Sequence, residues 1–242
     1  MAAATLELHD EALLRRDLAE RGEAKFLFPR HDVATVRATL RRAATPVCYA
    51  GPSSVVRSVY FDDHALGACH ANLAGLGVRS KFRVRWYDAA APADDAWFEV
   101  KWRRSLATGK HRLRIPGAGA LFGKPLGEWP HLLRRAAPER LAAALGRMEQ
   151  AVLVVQYRRE HFLLGDARLT LDYDLQFYPL LGRRRLALRF PSRSPATVLV
   201  ECKAPLGAAG REPGVLRPLG ARAVRFSKYV AGCQRLGYVA DL

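Results

Sequence analysis

The sequence predicts a mainly antiparallel β fold with helical additions, an α+β protein. Most segments between residues 21 and 205 alternate charged and apolar side chains, which is the period-two pattern of a half-buried strand. About eight or nine such segments follow one another, and most are joined by short connections. Short connections favour antiparallel pairing, because parallel strands need a long crossover.

Length and composition support one large domain. The 242 residues are 50% hydrophobic and 26% charged, which supplies a sizeable core and argues against disorder. No apolar run approaches the roughly 20 residues of a membrane helix, and the acidic N-terminus is unlike a secretory signal. The four cysteines are scattered without a CxxC pair. We therefore expect a cytoplasmic protein without a disulfide scaffold or a thiolate zinc site.

The charge balance predicts a polyanionic partner. Thirty-nine basic residues against 23 acidic residues give a formal charge of +16. Only seven of the basic residues are lysines, so this chain uses arginine almost wherever a positive charge suffices. An ammonium group is a compact point charge and a guanidinium group is a planar fork, so retained lysines indicate sites where the difference matters. Lys124 falls in a loop bounded by Gly and Pro, and the other six lie in or beside charged strand-like or helical segments: Lys25, Lys81, Lys101, Lys110, Lys203 and Lys228. The alternative is chance retention on solvated faces.

The N-terminal third contains two predicted strands and a helix. Residues 1–20 are expected to form a short helix or a loose arm. Residues 23–28 alternate with both charges on one face, and residues 33–40 have helical spacing. The segment 55–61 predicts another strand, after which Asp62 and Asp63 are expected to form a turn that caps a short helix.

The clearest strand covers residues 78–87. Four cations, at positions 79, 81, 83 and 85, lie on one face, while Phe82, Val84 and Trp86 lie on the other. Residues 97–102 and 110–115 alternate in the same way, and a turn at Thr108-Gly109 between them predicts an antiparallel hairpin.

The remaining elements follow a helical insertion at 117–150, which we expect to dock on the sheet rather than to form a second domain. Strands are predicted at 152–164 and 168–177, with weaker strands at 185–190 and 197–203. In the strand predicted at 168–177, one face carries Arg168, Thr170, Asp172 and Asp174. A final helix begins near Phe226.

The charged strand faces have two interpretations. In an ordinary sandwich they would be outer surface. Here, however, in-phase charges of both signs are concentrated on neighbouring strands, and the opposite faces carry residues large enough to pack against covering helices. A closed barrel of about eight strands has an interior that holds side chains or one small ligand. A barrel with charged side chains inside would form a tunnel for a phosphorylated polyanion with a metal.

A series of motifs in a fixed order resembles the VTC (vacuolar transporter chaperone) polyphosphate polymerase domain, within the CYTH-like or triphosphate tunnel metalloenzyme superfamily. The resemblance covers residues 21–237 and implies a closed eight-stranded β-tunnel with a charged interior, in a single domain at 21–242. The motifs are Glu23-x-Lys25-Phe26, Ser58-x-Tyr60-Phe61-Asp62, Arg79-x-Lys81-x-Arg83-x-Arg85-x-Tyr87, Glu99-x-Lys101, Lys110-x-Arg112, Tyr157 with Arg158 or Arg159, Arg168-x-Thr170-x-Asp172, Glu201-x-Lys203 and Ser227-Lys228-Tyr229.

This resemblance implies that the protein transfers the γ-phosphate of ATP to a growing inorganic polyphosphate chain, with Mn²⁺ or Mg²⁺ as cofactor. It assigns Glu201 to the metal and Ser227 to a phosphate. Lys81, Arg112 and Lys203 share the same faces and are further candidates for substrate binding. The cations that it assigns to catalysis are Lys25, Arg83, Arg85, Lys101, Lys110, Arg158, Arg168 and Lys228. Arg158 and Arg159 are neighbours in a strand and therefore face opposite sides, so this assignment depends on the register.

The carboxylates have alternative roles. Glu201 could pair with a tunnel cation instead of a metal, and Glu23 could do either. Asp172 and Glu99 are better suited to orienting neighbouring cations. The register of the first strand begins with Arg21 where the hydrolases and cyclases of the superfamily have a first glutamate, which favours the polymerase branch.

Two alternative functions stay open, a triphosphate hydrolase of the same superfamily and a non-catalytic polyphosphate-binding protein. Nucleic acid is not an expected partner, because the aromatic residues near the arginines fall on the opposite strand face. The chain has no expected membrane segment, although a membrane partner is possible.

Overall fold

Eight long strands form the body of the protein. The computed structural model describes residues 6, 8–10, 21–29, 31–92, 94–105, 107–194, 197–205 and 213–240. The predicted arm at 1–20 therefore lies largely outside the described residues. The long strands are β2 (Arg21–Leu27), β4 (Ser54–Asp62), β5 (Val78–Tyr87), β6 (Ala96–Arg104), β7 (Ala107–Ile115), β8 (Gln150–Leu164), β9 (Ala167–Pro179) and β11 (Leu199–Pro205). Three short strands, β1 (His9–Asp10), β3 (Thr45–Val47) and β10 (Ser192–Ser194), complete the sheet.

Every strand pair in the described sheet is antiparallel. The order is β1-β7-β6-β5-β4-β8-β9-β11-β2, with β3 on β8 and β10 on β9. The fold class predicted from the sequence is therefore confirmed.

The sheet curls toward its charged face. Strands β6 and β2 are six places apart in the order, which would separate them by about 29 Å in a flat sheet. Nevertheless, Lys101 Nζ on β6 lies 3.2 Å from Glu23 Oε2 on β2. This contact requires a strongly curved half-barrel whose concave face carries the charged side chains. Closure into a complete tunnel stays a prediction.

Six α-helices accompany the sheet in the described part of the chain. They are α1 (Val33–Arg41), α2 (Gly67–Leu73), α3 (Gly119–Phe122), α4 (Trp129–Ala136), α5 (Ala142–Leu145) and α6 (Lys228–Arg235). Short 3-10 helices occur at Leu126–Glu128, Glu139–Leu141 and Gly214–Leu219. None of the helices in the described part of the chain has both the length and the apolar character needed to span a bilayer.

The convex face of β5, β6 and β7 is covered by the insertion at 117–150. Phe82, Trp86 and Phe98 from the strands are fully or almost fully buried against residues of the insertion such as Trp129 and Leu133. Burying side chains of this size contributes roughly 1.5–3 kcal/mol each. The insertion packs on the sheet as expected, and it leaves the opposite, charged face of these strands to the concave side.

The C-terminal helix α6 occupies the other half of the concave face. Its Tyr229 and Cys233 pack with Val155 and Phe177 of the sheet in one buried cluster. Tyr229 also donates a hydrogen bond of 2.7 Å to Asp62. Asp62 accepts further bonds from the backbone of α2, as the predicted capping turn requires. The concave face is therefore apolar under α6 and charged beyond its N-terminus.

Three predictions of local structure are wrong. Thr108 and Gly109 do not form the turn of the hairpin: they lie in β7, paired with Arg103 and Trp102 of β6, because β6 continues to Arg104 and β7 already begins at Ala107. Residues 185–190 do not form a strand: they pair with no other strand, and Phe190 has a φ of 55°, which interrupts extended backbone. Asp174 does not share the face of Asp172, because its φ of 54° accompanies an extra residue in β9 opposite Tyr157. This bulge turns Asp174 outward, where it lies 3.6 Å from Arg158.

Candidate active site

The charged side chains of the concave face come from both walls of the half-barrel and from the start of α6. One wall, β5 to β7, supplies Lys81, Arg83, Arg85, Glu99, Lys101, Lys110 and Arg112. The other wall, formed by β8, β9, β11 and β2, supplies Arg159, Arg168, Asp172, Glu201, Lys203, Glu23 and Lys25, and α6 adds Lys228. This gathers eleven cations around four carboxylates.

Glu99 is the centre of the first wall. Its side chain is 2% exposed, and its carboxylate accepts a 2.7 Å bond from Arg83 Nε and pairs with the Lys110 ammonium. Arg112 and Arg85 approach the same carboxylate at 3.6 and 3.9 Å. We call Glu99 and these four cations the Glu99 cluster. One carboxylate is therefore shared by four cations.

The cations of the Glu99 cluster determine its protonation. Burial alone would raise the pKa of Glu99, but Arg83, Arg85 and Lys110 outweigh it and hold that pKa well below the ordinary value. Burial lowers the pKa of Lys110 to about 8, with the attraction of Glu99 opposing and the repulsion of Arg83 adding. Near neutral pH the cluster thus holds more positive than negative charge.

The second wall has a different arrangement. Lys228 Nζ lies 2.6 Å from Asp172 and 3.1 Å from Glu201. Arg159 donates two 2.6 Å bonds to Asp172 and one 3.2 Å bond to Glu201. We call these four residues the Glu201 cluster. Two carboxylates face two cations, and despite burial the cations keep the pKa of Glu201 well below its ordinary value.

Glu23 connects the two walls. Its carboxylate lies 3.1 Å from Lys25, 3.2 Å from Lys101 and 4.0 Å from Lys203. Lys25 also donates a 3.0 Å hydrogen bond to the carbonyl of Phe226, just before α6. Burial raises the pKa of Glu23, but the surrounding lysines dominate and lower it to about 2.

Lys81 has no carboxylate partner among the described residues. Its ammonium donates a 2.9 Å hydrogen bond to Ser227 Oγ, and no described carboxylate lies within salt-bridge distance. Ser227 is the N-cap of α6 and also accepts a bond from the amide of Val230. Burial, with repulsion from Lys25 and Lys101, lowers the pKa of Lys81 to about 7. A half-buried cation whose described partner is a hydroxyl rather than a carboxylate favours an anionic ligand.

The choice between Arg158 and Arg159 is settled in favour of Arg159. The Arg158 side chain is 52% exposed and contacts Asp174 on the outside, whereas Arg159 is 14% exposed and lies in the Glu201 cluster. The placement of Arg158 in the site is therefore wrong, because β8 has Tyr157, Arg159 and His161 on its concave side. Arg168 lies opposite Lys203 on the concave face, as expected.

The sequence missed aromatic support for the cations. The ring of Tyr157 lies under Lys228 at 4.7 Å and under Arg159 at 5.2 Å, and its hydroxyl accepts a bond from Arg85. The Tyr60 hydroxyl accepts a 2.9 Å bond from Arg83. Both tyrosines are in the motifs, but only the register shows that they share the face of the cations.

Two carboxylates offer oxygens to a metal. Glu201 lies beside Glu23 on the paired strands β11 and β2, and its charge opposes the lowering of the Glu23 pKa. Mg²⁺ and Mn²⁺ prefer oxygen ligands, and Mg²⁺ commonly takes one or two carboxylates and completes its shell with phosphate and water. Within the described ranges no group of three or more acidic, histidine or cysteine side chains could hold a metal alone. The donor set thus fits a metal that arrives with a phosphate.

Comparisons with known proteins support this site only through the family. A protein from Pyrococcus horikoshii OT3, PH1012, shares 15% identity and a TM-score of 0.44, covering 87% of this chain and 98% of its own. A putative adenylyl cyclase from Hippeastrum, described as having a dominant triphosphatase activity, shares 16% identity and a TM-score of 0.48, covering 90% and 96%. A putative adenylate cyclase from Vibrio parahaemolyticus shares 10% identity with a TM-score of 0.41, covering 89% and 88%.

The sequence-family comparison is more specific. No curated protein has significant sequence similarity to the chain. The VTC domain model matches residues 20–237, nearly the whole chain and almost the same range as the motifs. The chain belongs to the VTC domain family.

Proposed function

We propose that this protein is a metal-dependent phosphotransferase that moves the γ-phosphate of ATP onto a growing inorganic polyphosphate chain. The observation that carries the proposal is the concave face, where eleven of the described cations surround four carboxylates. Among the described residues, Lys81 has a hydroxyl rather than a carboxylate for a partner. Without a bound anion, the excess positive charge destabilises the folded protein, because the cations repel one another. A chain of phosphates would neutralise it.

The cations are suited to their positions. Arg83, Arg85 and Arg112 present planar forks that can bind non-bridging phosphate oxygens in pairs, while Lys81 and Lys110 act as point charges. Their hydrogen bonds to Tyr60, Ser58 and Glu99 hold the side chains in place before any substrate binds. Preorganised charges of this kind stabilise the charge that develops during transfer.

Phosphoryl transfer between phosphates needs no protein nucleophile. The bond from the γ-phosphorus to its bridging oxygen breaks, ADP leaves, and a terminal oxygen of the polyphosphate chain forms the new bond. The acceptor oxygen is already ionised, so no general base is required. What the protein supplies is alignment of the two phosphates and neutralisation of their charge. A Mn²⁺ or Mg²⁺ ion held by Glu201, with Glu23 nearby, would add Lewis-acid stabilisation.

The sequence of β2 supports transfer to phosphate rather than to water. The register Arg21-Gly22-Glu23-Ala24-Lys25 supplies one acid where the hydrolase pattern of the wider superfamily supplies two. The acid that is present, Glu23, is held by three lysines. ATP and inorganic polyphosphate are the substrates that this reaction requires, and we place it in the cytoplasm.

Incubating the purified protein with ATP and either Mn²⁺ or Mg²⁺ tests the proposal, with the products separated on a urea gel. We expect long polyphosphate. Free phosphate without polymer would instead indicate a triphosphate hydrolase, and binding of polyphosphate without turnover would indicate a non-catalytic binder. A matched pair of variants tests whether the activity belongs to the concave face: Lys110→Ala should strongly reduce the rate of polymer formation, while Lys124→Ala, which changes an exposed lysine outside the concave face, should not.

A further inference from the structure

An aromatic pair lies at the end of the charged face, contrary to the expectation that aromatic side chains occupy only the opposite face. Tyr87 ends β5 and Trp97 is the second residue of β6. Trp97 pairs with Arg85 across the strands, and Tyr87 is two residues beyond Arg85, so both aromatic residues share the concave face with the cations. Both are partly exposed, and their ring centroids are 5.4 Å apart at 69°.

We propose that Tyr87 and Trp97 form the binding surface for the base of the donor nucleotide, and thus make the site select a nucleoside triphosphate over an inorganic one. This inference rests on the function proposed above. Base stacking on an aromatic side chain is a common means of holding a nucleobase, and it is tolerant of which base is present. An inorganic phosphate chain has no group that would use such a surface.

The order of residues along β5 fits a ligand that has a base at one end and phosphates at the other. From Tyr87, the concave positions continue through Arg85, Arg83 and Lys81, about 7, 14 and 20 Å further along the strand. Arg85 and Arg83 belong to the Glu99 cluster. A base on the aromatic pair would therefore place its phosphates toward the cations of that cluster.

The guanidinium group of Arg112 already lies over the ring of Trp97. Its central carbon lies 4.7 Å from the centroid of the Trp97 ring, and its Nε lies 3.6 Å from Glu99. Arg112 makes both approaches at once, so a base that stacks on this side of Trp97 would have to displace its guanidinium group from the ring. The planar cation shows that this side of the ring accommodates a flat group.

Binding measurements on the intact protein test the inference. Calorimetric titration would compare ATP with inorganic tripolyphosphate, each with Mg²⁺, for the wild type, Trp97→Leu and Tyr87→Leu. We expect each substitution to weaken ATP binding by about 5- to 100-fold, which is the usual contribution of one stacked base, and to leave tripolyphosphate affinity within about twofold. Trp102→Leu is the matched control, since Trp102 is also on β6 but on the convex side.

Other results would contradict the inference. Equal weakening of both ligands would assign the aromatic pair a structural role through Arg112, and unchanged ATP binding would remove it from the site. If either variant fails to fold, the wild type decides: ATP should bind more tightly than ribose triphosphate without a base, and equal affinity overturns the inference. If the wild type binds neither ATP nor tripolyphosphate, the proposed function itself fails.

Discussion

The two carboxylate-centred clusters of the concave face have different charge balances. In the Glu99 cluster one carboxylate is shared by four cations, whereas in the Glu201 cluster two carboxylates face two cations. The first arrangement can accept further negative charge and the second is already neutral. Under the proposed function this difference would divide the work: the Glu99 cluster would bind phosphate, while the Glu201 cluster holds Lys228 and would offer carboxylate oxygens to a metal.

The largest expected effect is on stability, and it separates the clusters. Glu99→Gln removes the negative charge that four cations share, so we expect a loss of about 3–5 kcal/mol in the free energy of unfolding. Glu201→Gln should cost less than about 2 kcal/mol, because Asp172 still pairs with Lys228 and Arg159. Urea denaturation at low salt measures both values. Equal costs would remove the distinction between the clusters.

The next effect is on catalysis. Lys110→Ala and Lys101→Ala should each lower kcat/KM for polymer formation. The expected loss of transition-state stabilisation is about 2–4 kcal/mol, as for the loss of one preorganised donor. Lys110→Ala should cause the larger loss, because Lys110 belongs to the Glu99 cluster, whereas Lys101 contacts Glu23. Initial rates over a range of ATP concentrations, with circular dichroism as the folding control, check this. A larger loss from Lys101 would move the phosphate site toward Glu23.

A smaller effect tests the geometry of the Glu201 cluster. Arg159→Lys keeps the charge but loses the two-pronged contact with Asp172, which should lower the free energy of unfolding by about 1.5 kcal/mol. Arg158→Lys is the matched control on the adjacent, outward-facing position and should change it by less than about 0.5 kcal/mol. Thermal unfolding of both variants gives the comparison, and a reversed order would contradict the register of β8.

The smallest expected effect is the uptake of a proton when a phosphate ligand binds. At pH 8 Lys81, with a pKa of about 7, is mostly neutral in the free protein, and a bound phosphate favours its charged form. Binding of tripolyphosphate should then take up about one proton at pH 8 and less at pH 6, with a contribution from Lys110. Titration calorimetry in buffers of different ionisation enthalpy measures the uptake. It should fall in Lys81→Met, and an unchanged value would show that Lys81 does not contact the phosphate.

Much of the architecture is readable from local patterns. Period-two alternation in β5, β6 and β7 identified the strands and sorted their cations from Phe82, Val84 and Trp86, because side-chain direction follows from position along a strand. The same rule failed where the backbone departs from ideal geometry. The bulge at Asp174 reversed one face, and the segment before Phe190 alternates without a partner strand.

The site itself was only partly readable. The cations of β5 to β7 follow from alternation, but the choice of Arg159 over Arg158 needed the pairing of β8 with β4 and β9. Tyr157 shares the face of the cations for the same reason, whereas alternation along β6 already places Trp97 on the face of Glu99 and Lys101. Long-range register depends on which strands meet, and local sequence does not specify that.

The sequence by itself determined the antiparallel class, the excess of positive charge, the retained lysines and the family. Only the tertiary structure decided that Glu23 and Lys101, six strands apart in the sheet, are in contact, and that one carboxylate serves four cations while two serve two. The physical reason is that alternation fixes which side of a strand a residue faces, whereas sheet curvature and the seating of α6 fix which of those residues meet.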